Sequence, residues 1–255
     1  LSSSSAASDV YKRQLTYSGS GAPSVEGINF KAMKGQTIGV IGGTGSGKSS
    51  LVNLIPRLYD ATQGEVLVDG VNVKDYDIEA LRNKVGIVMQ KAVLFKGTIR
   101  ENMWMGKKGA TDEQIDEALE ISQSKEFVDS KQGRLDYVIE QGGKNLSGGQ
   151  RQRLTIARAI VRKPDVLILD DSASALDFAT DAALRKAIRG MNNSPTVFIV
   201  SQRAASLMYA DLIIVLDDGQ VAGMGTHDEL LANCEVYKEI YESQFRKADL
   251  EGGVA

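Results

Sequence analysis

The chain has 255 residues, 42% of them hydrophobic and 25% charged, with a formal net charge of −3 and an isoelectric point of about 5.4. That is material for one sizeable α/β domain with room for a smaller insertion, and it lacks the basic footprint of a nucleic-acid binder. No apolar run approaches the roughly 18 residues that cross a bilayer, and the one cysteine, Cys234, cannot form an internal disulfide, which fits a reducing compartment.

Leu1 to Gln14 is rich in Ser and Ala and holds no apolar stretch long enough for a secretory signal. It resembles translated adapter sequence, so the fold is read from residue 15 and the natural N-terminus is expected to lie outside the chain. Gln36 to Ile41 is a short apolar run, predicted as a buried strand that feeds Gly42. The eight residues Gly42-Gly43-Thr44-Gly45-Ser46-Gly47-Lys48-Ser49 then fit G-x-x-x-x-G-K-[ST]. A helix is expected from Lys48 through Ser50, Leu51, Leu54 and Ile55, stopping before Pro56. In such a loop backbone N–H groups curl around phosphate oxygens, the Lys48 ammonium reaches the β- and γ-phosphates, and the Ser49 hydroxyl ligates Mg2+.

Gly64 to Gly70 alternates and ends on a turn, as an antiparallel edge strand of a hairpin does. Val85 to Met89 reads as another short buried strand. From about Thr111 to Gln132 the period turns helical, with Ile115, Leu119 and Ile121 apolar among acids, and an inserted helical subdomain is expected over about residues 105–163. Within it, Leu146-Ser147-Gly148-Gly149-Gln150 is a second Gly-rich loop opening a helix, hence a second anion-binding helix terminus. One chain seldom needs two for one nucleotide, so the second is expected to face a nucleotide held by another chain. Val166 to Leu169 is a buried strand that delivers Asp170, an acid placed to hold Mg2+ through its shell. Strands at Thr196–Val200 and Leu212–Leu216 alternate with helices at about Ala179–Met191 and Asp228–Ala232, so the fold class is α/β with a mostly parallel sheet wrapped by helices. A last helix, Val236 to Lys247, puts Tyr237, Ile240, Tyr241 and Phe245 on one face, and residues 249–255 form a tail.

On these motifs, residues 15–248 resemble the nucleotide-binding domain of an ATP-binding cassette (ABC) transporter. The resemblance implies a phosphate-loop NTPase core with an antiparallel β edge subdomain and an inserted helical subdomain. Leu146 to Gln150, followed by Arg151-Gln152-Arg153, is similar to the family's signature loop, which completes the ATP site of a partner cassette. Gln90, at a strand end, resembles the Q-loop glutamine that touches Mg2+ and couples to the membrane domain. Ser174-Ala175-Leu176-Asp177 resembles the D-loop, which places Asp177 at a dimer interface, and Tyr17 falls where the family stacks an aromatic ring on adenine. The implied cofactors are ATP and Mg2+. Tyr17, Gly42 to Ser50 and Gln90 would surround the nucleotide, and Ser49, Gln90 and Asp170 the metal. Phe95 to Asn102 and Glu140-Gln141-Gly142-Gly143 resemble exporter segments. They imply a transmembrane domain upstream in the same polypeptide, a second ABC subunit as partner, no nucleic acid, and a place on the cytoplasmic face of the plasma (inner) membrane.

Two positions depart from the family's pattern. The residue after the Mg2+ acid, normally Glu, is Asp171, and the switch reads Ser201-Gln202-Arg203 where the family has Ser-His-Arg. The only histidine, His227, lies far beyond that motif and reads as a helix-cap neighbour. Both departures spare binding through Lys48 and weaken hydrolysis, for which Lys48, Asp171 and Gln202 are the candidate catalytic residues. The pattern resembles the degenerate-site half of a heterodimeric exporter. An active homodimeric exporter ATPase and a soluble, non-transport cassette ATPase are the alternatives.

Overall fold

The computed structural model describes residues 7–15, 24–172 and 175–251, in two compact units, one of residues 1–82 with 196–255 and one of residues 83–195. The first unit opens with β1 (Ala7–Leu15), β2 (Val25–Met33), β3 (Thr37–Gly42), α1 (Lys48–Asn53), β4 (Gln63–Val68) and β5 (Val71–Asn72), after which α2 (Ile78–Lys84) leads onward. β1 pairs antiparallel with β2, from Ala7 opposite Met33 to Leu15 opposite Val25, and with β4, where Val10 faces Val66. The strand order is therefore β2-β1-β4-β5.

Three expectations change. Part of the segment set outside the fold is a strand, because a ladder requires only backbone N–H and C=O groups and a Ser/Ala-rich composition does not signal it. β4 is also an inner strand, and the two-residue β5 is the edge. α1 ends at Asn53 rather than Ile55. The next amides bond three residues back, Leu54 to Leu51 and Ile55 to Val52, the tightened last turn expected where Pro56 forbids helical continuation.

The second unit contains β6 (Val85–Val88), β7 (Gly97–Thr98), α3 (Ile99–Trp104), α4 (Asp112–Ile121), α5 (Lys125–Asp129), β8 (Val138–Ile139), α6 (Gly148–Ile160), β9 (Val166–Asp170) and α7 (Phe178–Arg189). β6 and β9 pair parallel, with Val88 opposite Leu169, and β7 pairs antiparallel with β8. The helical character read from residue 111 onward holds. Thr111 caps α4 in a reciprocal box with Gln114, and Ile115 and Leu119 are fully buried. α3 begins the same way, with Thr98 and Glu101 capping each other.

The chain then returns to the first unit through β10 (Thr196–Val200), β11 (Leu212–Asp217), β12 (Gln220–Gly225), α8 (His227–Asn233) and α9 (Glu235–Glu251). β3 lies between β10 and β11, parallel to both, with Ile38 facing Phe198 on one side and Leu212 on the other, while β12 runs antiparallel on β11. β3 and β10 are buried along their whole lengths, which is why they read as unbroken apolar runs rather than alternating ones. Phe30 of β2 meets Phe198 edge-on, with ring centroids 6.2 Å apart. At the far end Tyr237 is 0% exposed, and its hydroxyl lies 2.8 Å from His227 Nδ1. Burial, with Tyr241 nearby, pushes that hydroxyl up to about 12. His227 stands at the first helical position behind the Thr226–Glu229 capping box, so its surroundings are those of a packed cap neighbour. Cys234 is buried and free.

Candidate functional site

In the first unit the loop between β3 and α1 is shaped by close backbone approaches. A Cβ on Gly42 would lie 2.1 Å from the Leu216 carbonyl oxygen, and one on Gly47 2.5 Å from that of Ser24. Gly47 also has φ 91 at the start of α1 and supplies no side-chain cap to the helix, a helix start of the kind that suits an anionic ligand. Lys48 is 9% exposed. Its ammonium donates to the carbonyls of Gly42 at 2.9 Å and Gly43 at 2.5 Å, and to Ser46 Oγ at 3.4 Å. A positive charge is thereby held at the mouth of the loop by the loop's own oxygens. Gly43, Thr44, Gly45 and Ser49 are exposed, Ser50 is half-buried, and Ser46 is buried.

Also in this unit, β10 delivers Ser201, Gln202 and Arg203. Ser201 is buried, its amide donates to the Val40 carbonyl at 3.1 Å, and its hydroxyl accepts the Arg203 amide at 2.9 Å. Gln202 and Arg203 are exposed.

In the second unit β9 ends on Asp170, 3% exposed, and Asp171 follows in the left-handed region with φ 46. A non-glycine residue there carries strain of about 1–3 kcal/mol. Because β6 and β9 are paired in parallel, Gln90 and Asp171 emerge from neighbouring strand ends, and Gln90 Nε2 donates to Asp171 Oδ2 at 3.2 Å. Motif matching names the two residues separately and does not foresee that they bond. Among the described residues no group of three or more His, Cys, Asp or Glu side chains could hold a metal.

The second Gly-rich loop is built to hold its own shape. Ser147 caps α6, its Oγ accepting the Gln150 amide at 3.2 Å while Gln150 Oε1 accepts the Ser147 amide at 3.1 Å. Arg151 Nη1 bonds the Leu146 carbonyl at 2.7 Å, and Asn145 donates to the Val138 carbonyl at 2.9 Å while accepting the Glu140 amide at 3.0 Å. Leu146 is buried; Ser147 and Gly148 are exposed. At Gly149 a Cβ would come 3.3 Å from the Ala175 carbonyl, so the small residue lets two loops lie close. Replacing Ser147 by Ala should destabilise the chain by about 1 kcal/mol, whereas Gly should cost only a few tenths, as thermal unfolding would report.

Asp177 caps α7, accepting the Thr180 amide at 2.9 Å and its hydroxyl at 2.8 Å, and these bonds hold its carboxyl below the usual carboxylate range. Tyr17 and Ser174 lie outside the described residues. Arg151 reads only as part of the run that follows the signature loop, and Asn145 carries no motif; that the two staple the loop escapes sequence reasoning.

A sequence profile of the family described as "ABC transporter" matches residues 25–174. An uncharacterized ABC transporter ATP-binding protein of Mycobacterium tuberculosis is 43% identical over 241 residues, covering 93% of this chain and 41% of that protein. A Staphylococcus aureus protein named for multidrug export, with ATP-binding and permease parts, is 38% identical over 236 residues, covering 92% of this chain and 41% of its own length. The chain thus spans about two fifths of these relatives. Among solved structures, that of a bacterial Atm1-family ABC exporter with ATP bound superposes with a TM-score of 0.88 at 30% identity, over 94% of this chain and 42% of that one.

Proposed function

Because the chain belongs to the ABC transporter family, we propose that it is the ATP-binding domain of an exporter whose own site binds Mg-ATP and hydrolyses it slowly. The observation that carries this reading is Lys48, buried and held at the mouth of the Gly42–Ser49 loop by two carbonyls. Phosphate oxygens are the natural counter-ligand for that ammonium and for the amides at the start of α1. The nucleotide would be ATP; Ser49, Gln90 and Asp170 are the residues that would hold its Mg2+, and Tyr17, outside the described residues, is the candidate to meet the base. The metal, when bound, offsets negative charge on the phosphate oxygens. Asp171 orients the attacking water and Gln202 donates a hydrogen bond to the γ-phosphate. Both do so less well than the Glu and His they replace, since one carboxylate is a methylene shorter and one side chain cannot carry charge.

The Leu146–Gln150 loop serves a partner. A pre-capped helix terminus with exposed Ser147 and Gly148 suits donation to a phosphate held by a second ABC subunit, with Asp177 at the same interface. A heterodimer is the form in which one degenerate and one competent site make sense together. No helix among the described residues is long and apolar enough to cross a membrane. The relatives' greater length and their ATP-binding/permease naming support a transmembrane domain in the same polypeptide, on whose cytoplasmic side this domain works.

The full chain should bind Mg-ATP in calorimetry, while mixing excess chain with labelled ATP should show turnover well below the 1–1,000 per second usual for enzymes. Rapid steady-state hydrolysis by the unmodified chain would overturn the slow-site reading, and failure to bind ATP would overturn the whole.

A further inference from the structure

The turn that carries Gln202 is held by a residue from the far end of the sequence. Gln244, half-buried on α9, donates from Nε2 to the Gln202 carbonyl at 2.6 Å, and its Oε1 accepts the Ala204 amide at 2.9 Å. One side-chain amide thus bridges the two sides of Arg203, much as a peptide group of a neighbouring strand would. The rest of the turn is secured by other means. Ser201 is tied to the Val40 carbonyl and accepts the Arg203 amide, and residues 204–206 close their own 3₁₀ turn, with Ser206 bonding back to Arg203 and Leu207 to Ala204. Between these two anchored stretches, Gln244 takes both the Gln202 carbonyl and the Ala204 amide. Only Asn and Gln offer a donor and an acceptor in one plane at that spacing, and Gln has the longer reach. α9 is itself fixed at its start, where Tyr237 is fully buried and bonded to His227, with the Tyr241 ring 5.2 Å from the imidazole centroid.

We propose that Gln244 is a positioning residue for hydrolysis, its amide setting the Gln202–Arg203 turn at a fixed height so that the C-terminal helix governs how Gln202 meets the γ-phosphate. This rests on the reading of Gln202 as a γ-phosphate contact. Gln244→Ala removes both bonds. Gln244→Glu is nearly isosteric and keeps the acceptor for Ala204, but loses the donor and sets a carboxylate oxygen against the Gln202 carbonyl.

The test is hydrogen–deuterium exchange and single-turnover hydrolysis of labelled ATP on the full chain, for Gln244→Ala, Gln244→Glu, Gln202→Ala and the pair Gln202→Ala/Gln244→Ala. In Gln244→Ala, exchange across residues 201–207 should rise by roughly tenfold, the loss expected from two hydrogen bonds of ordinary net strength. In Gln244→Glu the rise should be smaller. The hydrolysis rate should fall in both variants while Mg-ATP affinity stays within about twofold, and Gln244→Ala should add nothing once Gln202 is Ala. Unchanged exchange at 201–207 would overturn the clamp. Raised exchange with an unchanged rate, in a chain where Gln202→Ala does slow hydrolysis, would overturn the positioning role. If Gln202→Ala itself leaves the rate unmoved, it is the γ-phosphate role of Gln202 that fails, whatever exchange shows.

Discussion

Replacing Asp171 by Glu together with Gln202 by His should raise single-turnover ATP hydrolysis by the full chain by on the order of a hundredfold. The reach of the carboxylate sets the first part. Asp171 falls short of a glutamate by one methylene, about 1.5 Å of bond length, and a misplacement of about 1 Å is enough for a loss of that size. The second part is charge, since an imidazolium can carry the proton and the positive charge that a neutral amide cannot. A signature separates the two. The rate of the double variant should acquire a dependence on pH near the usual histidine value of about 6.5, while Asp171→Glu alone should not. A cost should accompany the gain. Asp171 sits at φ 46, where Asp is tolerated better than Glu because its short side chain can bond locally. The more active variant should therefore melt slightly lower, a trade of stability for activity. Chemical-quench measurements on both variants provide the check. An unchanged rate in a double variant that still binds ATP would remove the case for a degenerate site.

Lys48→Ala should weaken Mg-ATP binding by on the order of a hundredfold, the loss expected when a charge-assisted contact to phosphate disappears. The ammonium is buried and already surrounded by the carbonyls of Gly42 and Gly43 and the Ser46 hydroxyl, so little side-chain entropy remains to be lost when phosphate arrives. Arg would not restore binding, because its planar fork does not fit a space framed for a compact ammonium. Calorimetry on the three forms decides the matter, and affinity retained within a few-fold in Lys48→Ala would mean that the loop is not the nucleotide's main holder.

What could be read from sequence was what is local. The phosphate loop, the Gly-rich loop that opens α6 and the buried strands β3, β9 and β10 announce themselves through residues within a few positions of one another, because glycine geometry and burial on both faces each leave a short-range pattern. The comparison with known proteins bears out the fold class and the family that those patterns suggested. What escaped is long-range or carried by backbone alone. Gln90 and Asp171 lie 81 positions apart and bond only because β6 and β9 are neighbours, a fact that no spacing rule contains. Gln244 and Gln202 are 42 positions apart and joined by a side chain that reads as one more polar residue on a helix surface. β12, with exposed and half-buried positions alternating among glycines, gave too little apolar signal, and β1 gave none.

β1 also sets a condition on any shortened form of this protein. Residues 7–15 fill the middle of a four-stranded sheet, bonded on one flank to β2 and on the other to β4. A chain begun at residue 15 would expose two rows of unanswered N–H and C=O groups facing each other across an open slot. Such rows are templates for strands from other molecules. The slot accepts any sequence able to lie extended, so solubility in a trimmed form would depend on supplying a strand there, whatever its side chains.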